Sequence, residues 1–368
     1  MSRAVAAAFL IAALGCGSSY LHASGASEPV WAYGFLTPPA LGEAAPSPQV
    51  PGGNRELRPG EEPVEMNRPR RVAGSSRALS MLDLRTNLSN TIDWFPEEHP
   101  PMPDVVRHGP ASLGSRKGAC GGCHLANGRG RPENAQPGGL PAAYFIRQIR
   151  DFRLGFRRSA DWRKPNTYMM IALASAMSDE EIHQTAEYFA ANQWTVPWVR
   201  VVESERVPKT RIALNLFIAT ERERTEPIAG RIIEVPEDEE QAEINHNAHS
   251  GFVAYVPPGS IARGAHLVTT GGAQIVRGEV ISRKTLACTS CHGLDLMGID
   301  DVPPLAGRSP SYMARQLYDF QQGTRNGAMS TLMKPVVARL TEADIVAITA
   351  YVASRSPRRT ATPIVSSH

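Results

Sequence analysis

Apolar residues recur at helical spacing in two separate parts of the chain. One helix face in each part carries, in turn, Phe145, Ile149, Phe152 and Phe156, and then Met313, Leu317 and Phe320. A later face carries Ile182, Thr185, Ala186 and Phe189 in the first part, and Ile345, Ile348, Thr349 and Val352 in the second. Stripes of this spacing are typical of amphipathic helices that bury one side. The pattern predicts a mainly α protein with two similar cores.

The last helix of each part begins with a capping signal. Ser178 is followed three residues later by Glu181, which is the spacing of a capping box. Thr341 and Asp344 repeat that spacing with a shorter acid, which makes a weaker signal. We expect the two helices to begin just after Ser178 and Thr341.

Between the helical parts the spacing changes to that of strands. Residues Arg211–Phe217 alternate apolar and polar side chains. Three further short candidates are bounded by Gly and Pro: Arg231–Val235, Phe252–Val256 and Ala265–Thr269. We expect a β-hairpin-rich insert here, with an exposed acidic loop at Glu237–Glu240.

One short motif occurs twice, first at Cys120–His124 and again at Cys288–His292. Two cysteines three apart, followed at once by histidine, suit covalent attachment of haem c. The alternatives are a disulfide, half of a zinc site or a redox pair. A zinc site needs further ligands, and a redox pair needs neither the histidine nor a second copy. We therefore expect two covalent haem c groups, attached at Cys120, Cys123, Cys288 and Cys291, with His124 and His292 on the irons.

The likeness between the two parts extends well beyond this motif. When Cys120 is aligned with Cys288, the match continues without a gap through the next helix. The equivalent pairs are Tyr144 and Tyr312, Gln148 and Gln316, Asp151 and Asp319, Phe152 and Phe320, Gly155 and Gly323, and Arg157 and Arg325. A short deletion in the second copy then aligns Met170 with Met333, Ile182 with Ile345, and Tyr188 with Tyr351. The chain thus carries two homologous domains.

The N-terminus has the outline of a secretory signal peptide, with Arg3, an apolar run at Ala4–Leu14 and then small residues. Cys16 ends a stretch that resembles a bacterial lipobox, but Ala13 stands where a larger aliphatic residue is preferred. Simple cleavage, after Ala23 or Ala26, is therefore favoured over lipidation at Cys16. No stretch reaches the roughly 18 apolar residues that a transmembrane helix needs. We expect a periplasmic protein, since bacterial haem c is attached outside the cytoplasmic membrane.

The chain has 368 residues, which is long enough for two domains. Its net charge of +3 is too small to indicate nucleic acid as a partner. Pro and Gly crowd residues 38–63, as in an extended linker. The predicted organisation is a signal peptide (1–26), a Pro/Gly-rich irregular extension (27–103), domain 1 (104–200), the β-rich insert (201–280), domain 2 (281–356) and a tail (357–368).

The repeat resembles the dihaem cytochrome c4 family and related class I cytochromes c. The resemblance rests on both cysteine motifs, on Pro303–Gly307, on Tyr312–Arg325 and on the methionine before each last helix. It covers about residues 104–200 and 280–356 and implies two tandem class I cytochrome c domains. In that family the methionine is the sixth iron ligand, which implies Met170 and Met333.

The family also has a proline whose carbonyl accepts a hydrogen bond from the axial histidine, keeping that imidazole oriented and electron-rich. Pro303 fits this position in the second domain. The first domain departs from the pattern, because Ala135 stands at the equivalent position. We therefore expect the surroundings of the two haems to differ.

Other side chains could be nominated for the same roles. The neighbouring methionines are Met169 and Met177 in the first domain and Met297 and Met329 in the second. The register of the repeat favours Met170 and Met333. The remaining histidines have no equivalent in the other copy and are expected to be surface or hydrogen-bonding groups: His99, His108, His183, His246, His249 and His266.

Histidine and methionine together fill both axial positions and favour reduced iron, which suits one-electron transfer. The first hypothesis is a periplasmic dihaem cytochrome that carries electrons between redox partners. The alternative is a dihaem peroxidase, in which one haem must lose its sixth ligand. A third is an electron-accepting subunit of a periplasmic dehydrogenase, docked through the basic stretch Arg147–Lys164. That stretch could equally be a solvated helix face or could neutralise haem propionates.

Overall fold

The computed structural model describes residues 55–114, 117–193, 196–213 and 216–357. The predicted signal peptide, Cys16 and most of the predicted tail lie outside these residues. No helix in the described part of the chain is both long and apolar enough to cross a membrane.

The segment before the first domain is mostly irregular and has a small core of its own. It contains helices α1 (Pro63–Met66) and α2 (Met81–Leu84) and leads into α3 (Asp104–His108). Its buried apolar residues are Val72, Leu84, Ile92, Trp94 and Phe95. The Trp94 indole donates to the carbonyl of Asn245 at 2.6 Å, so the segment is fastened to the insert.

The first domain consists of α4 (Cys120–His124), α5 (Ala142–Arg153), α6 (Pro165–Ala176) and α7 (Asp179–Ala191). Helix α5 packs against α6 and α7. Most of the two predicted faces is confirmed, because Phe145, Ile149, Ile182, Ala186 and Phe189 are buried in one cluster. The prediction is wrong at Phe156, which lies beyond the end of α5 and is exposed. The capping box is confirmed as well, since the Ser178 hydroxyl accepts from the Glu181 amide and the Glu181 carboxylate from the Ser178 amide.

The insert forms two small sheets from five strands: β1 (Val199–Glu203), β2 (Arg206–Ala213), β3 (Leu216–Pro227), β4 (Ile233–Pro236) and β5 (Phe252–Val256). Strand β5 pairs parallel with β1 and antiparallel with β4, and β2 pairs with β3 as a hairpin. The single strand predicted over Arg211–Phe217 is wrong, because Ile212 and Phe217 are cross-strand partners in that hairpin. The acidic loop at Glu237–Glu240 is exposed, as expected.

The second domain contains α8 (Ser260–Thr270), the hairpin β6 (Gln274–Val276) and β7 (Glu279–Ser282), α9 (Thr289–His292), α10 (Pro310–Gln321), α11 (Lys334–Val337) and α12 (Glu342–Ala353). Its core buries the predicted face of α12, namely Ile345, Ile348 and Val352. The Thr341 hydroxyl and the Asp344 carboxylate form the predicted capping box.

The strand predicted at Ala265–Thr269 is wrong, because these residues lie in α8. Of the glycines beside this run, Gly264 lies inside α8, and Gly271 ends it. The helix is bounded by Gly259 and Gly271, which have φ of 80° and 71°, a conformation that glycine adopts without strain. Helix α8 packs closely on α12, and a Cβ at Gly264 would lie 1.9 Å from the Ala347 carbonyl oxygen. We propose that the second domain begins near Ser260 rather than at 281.

The two domains meet at equivalent loops. The Arg158 amide donates to the Thr324 carbonyl at 2.8 Å, and the Asn326 amide donates to the Phe156 carbonyl at 2.6 Å. Arg157 and Arg325 lie between these bonds as an antiparallel bridge pair. Because each bond is the repeat-related copy of the other, the domains are joined with local two-fold symmetry.

Candidate functional site

Both cysteine motifs lie at short helices, with Cys120, Cys123 and Cys288 half-buried and Cys291 exposed. None of the cysteines in the described residues forms a disulfide. Burial raises the pKa of Cys120 to about 12 and that of Cys288 to about 11. The four thiols are therefore free in this structure, and the burial of Cys120 and Cys288 favours their protonated form.

The histidines of the two motifs are held in the same way. His124 Nδ1 donates to the Ala135 carbonyl at 2.8 Å, and His292 Nδ1 donates to the Pro303 carbonyl at 2.9 Å. Burial lowers the pKa of each imidazole, which favours the neutral ring. A carbonyl can only accept, so Nδ1 carries the proton and Nε2 carries the lone pair that binds a metal. The expected difference between the two histidine environments is absent at this hydrogen bond, because it uses a backbone carbonyl and does not require proline.

A large cavity in the first domain brings the predicted residues together. Cys120, Cys123, His124 and Met170 all line it. Its apolar walls come from α5, α6 and α7, through Phe145, Ile149, Phe152, Leu173 and Phe189. The second domain closes one side with Tyr312, Arg315, Gln316 and Asp319. The first site therefore lies at the domain interface.

Three polar atoms of residues in the wall of this cavity are buried without a hydrogen-bond partner. Two are the donors Lys164 Nζ and Ser159 Oγ, and the third is the acceptor Glu133 Oε2. Burial lowers the pKa of Lys164 well below its ordinary value, and an anion beside the amine would offset that effect. A flat apolar group that carries carboxylates at its edge, as haem does, fits both the apolar walls and these two donors.

The methionines of the first domain are close neighbours in the structure. Met169, Met170 and Met177 all line the cavity. Met170 also packs against the apolar cluster of the domain, as does Met177, which is 7% exposed. Met170 remains the predicted ligand on the register of the repeat.

The second site has a similar set of residues in a more open setting. His292 is buried, Cys288 is half-buried and Cys291 is exposed. Met333 lies between a 3-10 helix at Ala328–Leu332 and α11, half-buried against the second core. Met329 is 56% exposed, and Met297 packs against the same core as Met333. Met333 therefore remains the predicted ligand of this site.

The segment before the first domain covers the first motif and leaves the second uncovered. A Cβ at Gly121 would lie 2.1 Å from the Thr91 side chain, and one at Gly122 would lie 2.4 Å from the Asn87 carbonyl oxygen. Real side chains do not approach so closely, which explains why the first motif contains two glycines. Sequence reasoning missed this cover, although the contrast with Thr289 and Ser290 in the second motif was the signal that could have found it.

The remaining histidines make the protein contacts expected of them. His99 pairs with Asp93, His246 with Asn87, and His249 with Glu98. His108, His183 and His266 lie within hydrogen-bond distance of Ser89, Asp179 and Thr270. No group of three or more His, Cys, Asp or Glu side chains that could hold a metal occurs among the described residues.

The basic stretch Arg147–Lys164 is partly engaged in contacts within the protein. Arg153 donates to the carbonyls of Ala174 and Met177, and Arg147 pairs with Asp301. Arg157 and Lys164 are buried. Only part of the stretch therefore faces solvent, which weakens the hypothesis of an electrostatic docking surface here.

Two helical domains, each with a cysteine pair, a histidine locked through Nδ1 and a nearby methionine, define a dihaem c-type cytochrome. Comparison with known proteins agrees with this class. The family model for cytochrome c matches residues 275–356. A cytochrome c4 of Pseudomonas aeruginosa is 25% identical over 249 residues, or 66% of this chain and 88% of that protein.

Two further relatives extend the comparison. A thiosulfate dehydrogenase electron acceptor of Stutzerimonas stutzeri is 24% identical over 66% of this chain and 81% of its own length. Cytochrome c-554(547) of Halothiobacillus neapolitanus is 33% identical over 88 residues, which are 21% of this chain and 97% of that protein. The chain belongs to the cytochrome c family.

Proposed function

We propose that this electron-transfer cytochrome is a periplasmic carrier that passes single electrons between redox partners through two six-coordinate haems. His124 and Met170 would bind one iron, and His292 and Met333 the other. The observation that carries the proposal is the matched histidine geometry, since each Nδ1 is committed to a carbonyl and each Nε2 is left to bind iron. Haem supplies the one-electron couple, and the chain orients the imidazoles and excludes water.

The residues around the first site favour electron transfer over catalysis on a bound substrate. Apolar side chains wall the cavity, and Lys164 and Ser159 would hold the haem carboxylates. Filling both axial positions leaves no coordination site for a substrate. Placing the first haem beside Tyr312 and Gln316 brings it against the second domain, as a two-haem relay needs.

A redox titration followed by optical and electron spin resonance spectra tests this proposal. We expect two haems per chain, both low-spin in both oxidation states. Met170→Ala and Met333→Ala should each convert one haem to high-spin, whereas Met169→Leu and Met329→Leu, the matched controls, should convert neither. A high-spin haem in the wild type, or robust peroxide turnover after partial reduction, would overturn the carrier in favour of the peroxidase.

The direct electron donor is also open to test. Relatives include an electron acceptor of a thiosulfate dehydrogenase, and we propose a periplasmic dehydrogenase as the class of donor for this chain too. Stopped-flow reduction by such an enzyme should be fast and should depend weakly on salt, because part of the basic stretch is buried or paired within the protein. A steep fall in rate with added salt would contradict the weak dependence.

A further inference from the structure

One arginine joins the loops that hold the two axial histidines. Arg308 is 5% exposed and lies just before α10. Its Nε donates to the Pro304 carbonyl at 2.7 Å within its own domain. Across the interface, Nη1 donates to the Gln136 carbonyl, and Nη2 donates to the Gly138 carbonyl at 3.1 Å.

Two of the carbonyls that accept from Arg308, those of Pro304 and Gln136, occupy equivalent positions in the repeat. Pro304 follows Pro303, which accepts from His292, and Gln136 follows Ala135, which accepts from His124. The guanidinium of Arg308 is therefore one peptide away from each histidine acceptor. The first copy has Leu140 at the position of Arg308, so a single cation serves both loops.

We propose that Arg308 is a positioning residue that fixes both histidine loops to one buried cation and thereby sets the two reduction potentials together. A positive charge near a haem favours the form with the extra electron. Donation to the neighbouring carbonyls also fixes the peptides against which each imidazole is oriented. The proposal rests on the proposed ligation by His124 and His292.

The interface has other contacts that should survive the loss of this side chain. The Ser309 amide donates to Gln136 Oε1 of the first domain at 2.6 Å, and the Ser309 hydroxyl donates to Glu234 of the insert at 2.7 Å, which holds the start of α10 in place. Arg315 also crosses the interface, to the Pro132 carbonyl in the loop before Ala135. Arg315 thus reaches the histidine loop of the first domain by hydrogen bonding, whereas Arg308 reaches both loops.

The test compares Arg308→Gln with Arg315→Gln in the holoprotein, by a redox titration that follows the NMR signals of each haem separately. We expect Arg308→Gln to lower both reduction equilibrium constants by about tenfold, which is ~59 mV for one electron. Arg315→Gln removes the same charge and should shift the first haem more than the second. Equal shifts of both haems in Arg315→Gln would show that the loss of any positive charge nearby has this effect, and would contradict the proposed role of Arg308.

A variant that keeps the positive charge tests the proposal even if Arg308→Gln does not fold. Arg308→Lys should fold and lower both constants in the same direction by about threefold, since an ammonium cannot span three carbonyls. A change confined to one haem, or none in either variant, contradicts the proposal. Haem content and spin state, measured on the same samples, separate this outcome from failure of the proposed ligation, which would appear as a high-spin haem.

Discussion

Arg157 and Arg325 make the same contacts in opposite directions across the domain interface. Arg157 donates to the Tyr312 hydroxyl and to Gln316 Oε1, each at 2.8 Å. Arg325 donates to the Tyr144 hydroxyl at 2.7 Å and to Gln148 Oε1 at 2.8 Å. Each arginine also donates to the glutamine of its own domain and lies over its own phenylalanine, Phe152 or Phe320. The repeat therefore builds an interface out of its own equivalent residues.

Replacing either arginine should weaken this interface. Arg157→Met or Arg325→Met leaves one half-buried tyrosine hydroxyl without its donor and each glutamine with one arginine donor instead of two, which should lower the free energy of unfolding by about 1–3 kcal/mol. Both arginines share Gln148 and Gln316, so the double variant should deviate from additivity by at least about 0.5 kcal/mol. Denaturant unfolding of the holoprotein measures both quantities. The exposed Arg150→Met is the control and should change stability by less than about 0.5 kcal/mol; additive losses would show that the two arginines act separately.

The two motifs should lose stability to different extents when their central residues are exchanged. Gly122→Ser places a side chain against the Asn87 carbonyl and should destabilise the first domain by about 1–3 kcal/mol. Ser290→Gly makes the reverse change at an exposed position and should cost less than about 1 kcal/mol. Thermal unfolding and the yield of covalently attached haem measure the difference. Equal effects at the two positions would mean that the N-terminal segment does not cover the first motif in solution.

Replacing Pro303 in the histidine loop of the second domain should change little at its haem. The hydrogen bond from His292 ends on the backbone carbonyl of Pro303, and Ala135 makes the same bond in the first domain. Pro303→Ala should therefore change the reduction equilibrium constant of the second haem by less than about twofold. A tenfold change in this constant would correspond to ~59 mV. A shift as large as that expected for Arg308→Gln, measured by the same titration, would show that the proline ring itself matters.

Local features of the sequence predicted local structure well. Ser178 and Thr341 begin their helices as expected because a cap depends on a few neighbouring residues. The pattern at Ala265–Thr269 predicts the wrong element, because a short apolar run between glycines carries too little periodicity to separate strand from helix. Its helical state depends on packing against α12, which is distant in sequence.

The candidate site was predictable where it repeats and not where it is unique. Aligning the copies paired Arg157 with Arg325, but equivalence in sequence does not show that the two cross between domains. Arg308 has no equivalent in the first copy, so the repeat drew attention away from it. Thr91 and Asn87 lie in a segment without periodicity, and their contact with the first motif follows from tertiary structure alone.

A buried carboxyl between the insert and the second domain should make stability depend on pH. Glu234 is 1% exposed and accepts from the Ser309 hydroxyl and the Ser311 amide through Oε2, whereas Oε1 has no hydrogen-bond partner in the structure. Burial raises the pKa of Glu234 to about 6 from 4.5, despite these donors and the nearby Arg315. The folded state therefore holds this proton more tightly than the unfolded state.

The sign of the effect follows from that difference in pKa. The contribution of Glu234 to stability is greatest below pH 4.5, falls as the pH rises to about 6 and is constant above it, a loss of about 2 kcal/mol at 1.36 kcal/mol per pKa unit. Glu234→Gln removes the titration, so the unfolding free energy of the wild type minus that of the variant should fall by this amount between pH 4 and pH 7. Urea unfolding at intermediate pH values measures the difference, in which other titrating groups cancel. A difference that is flat or rises with pH would show that the buried carboxyl is not held in its protonated form.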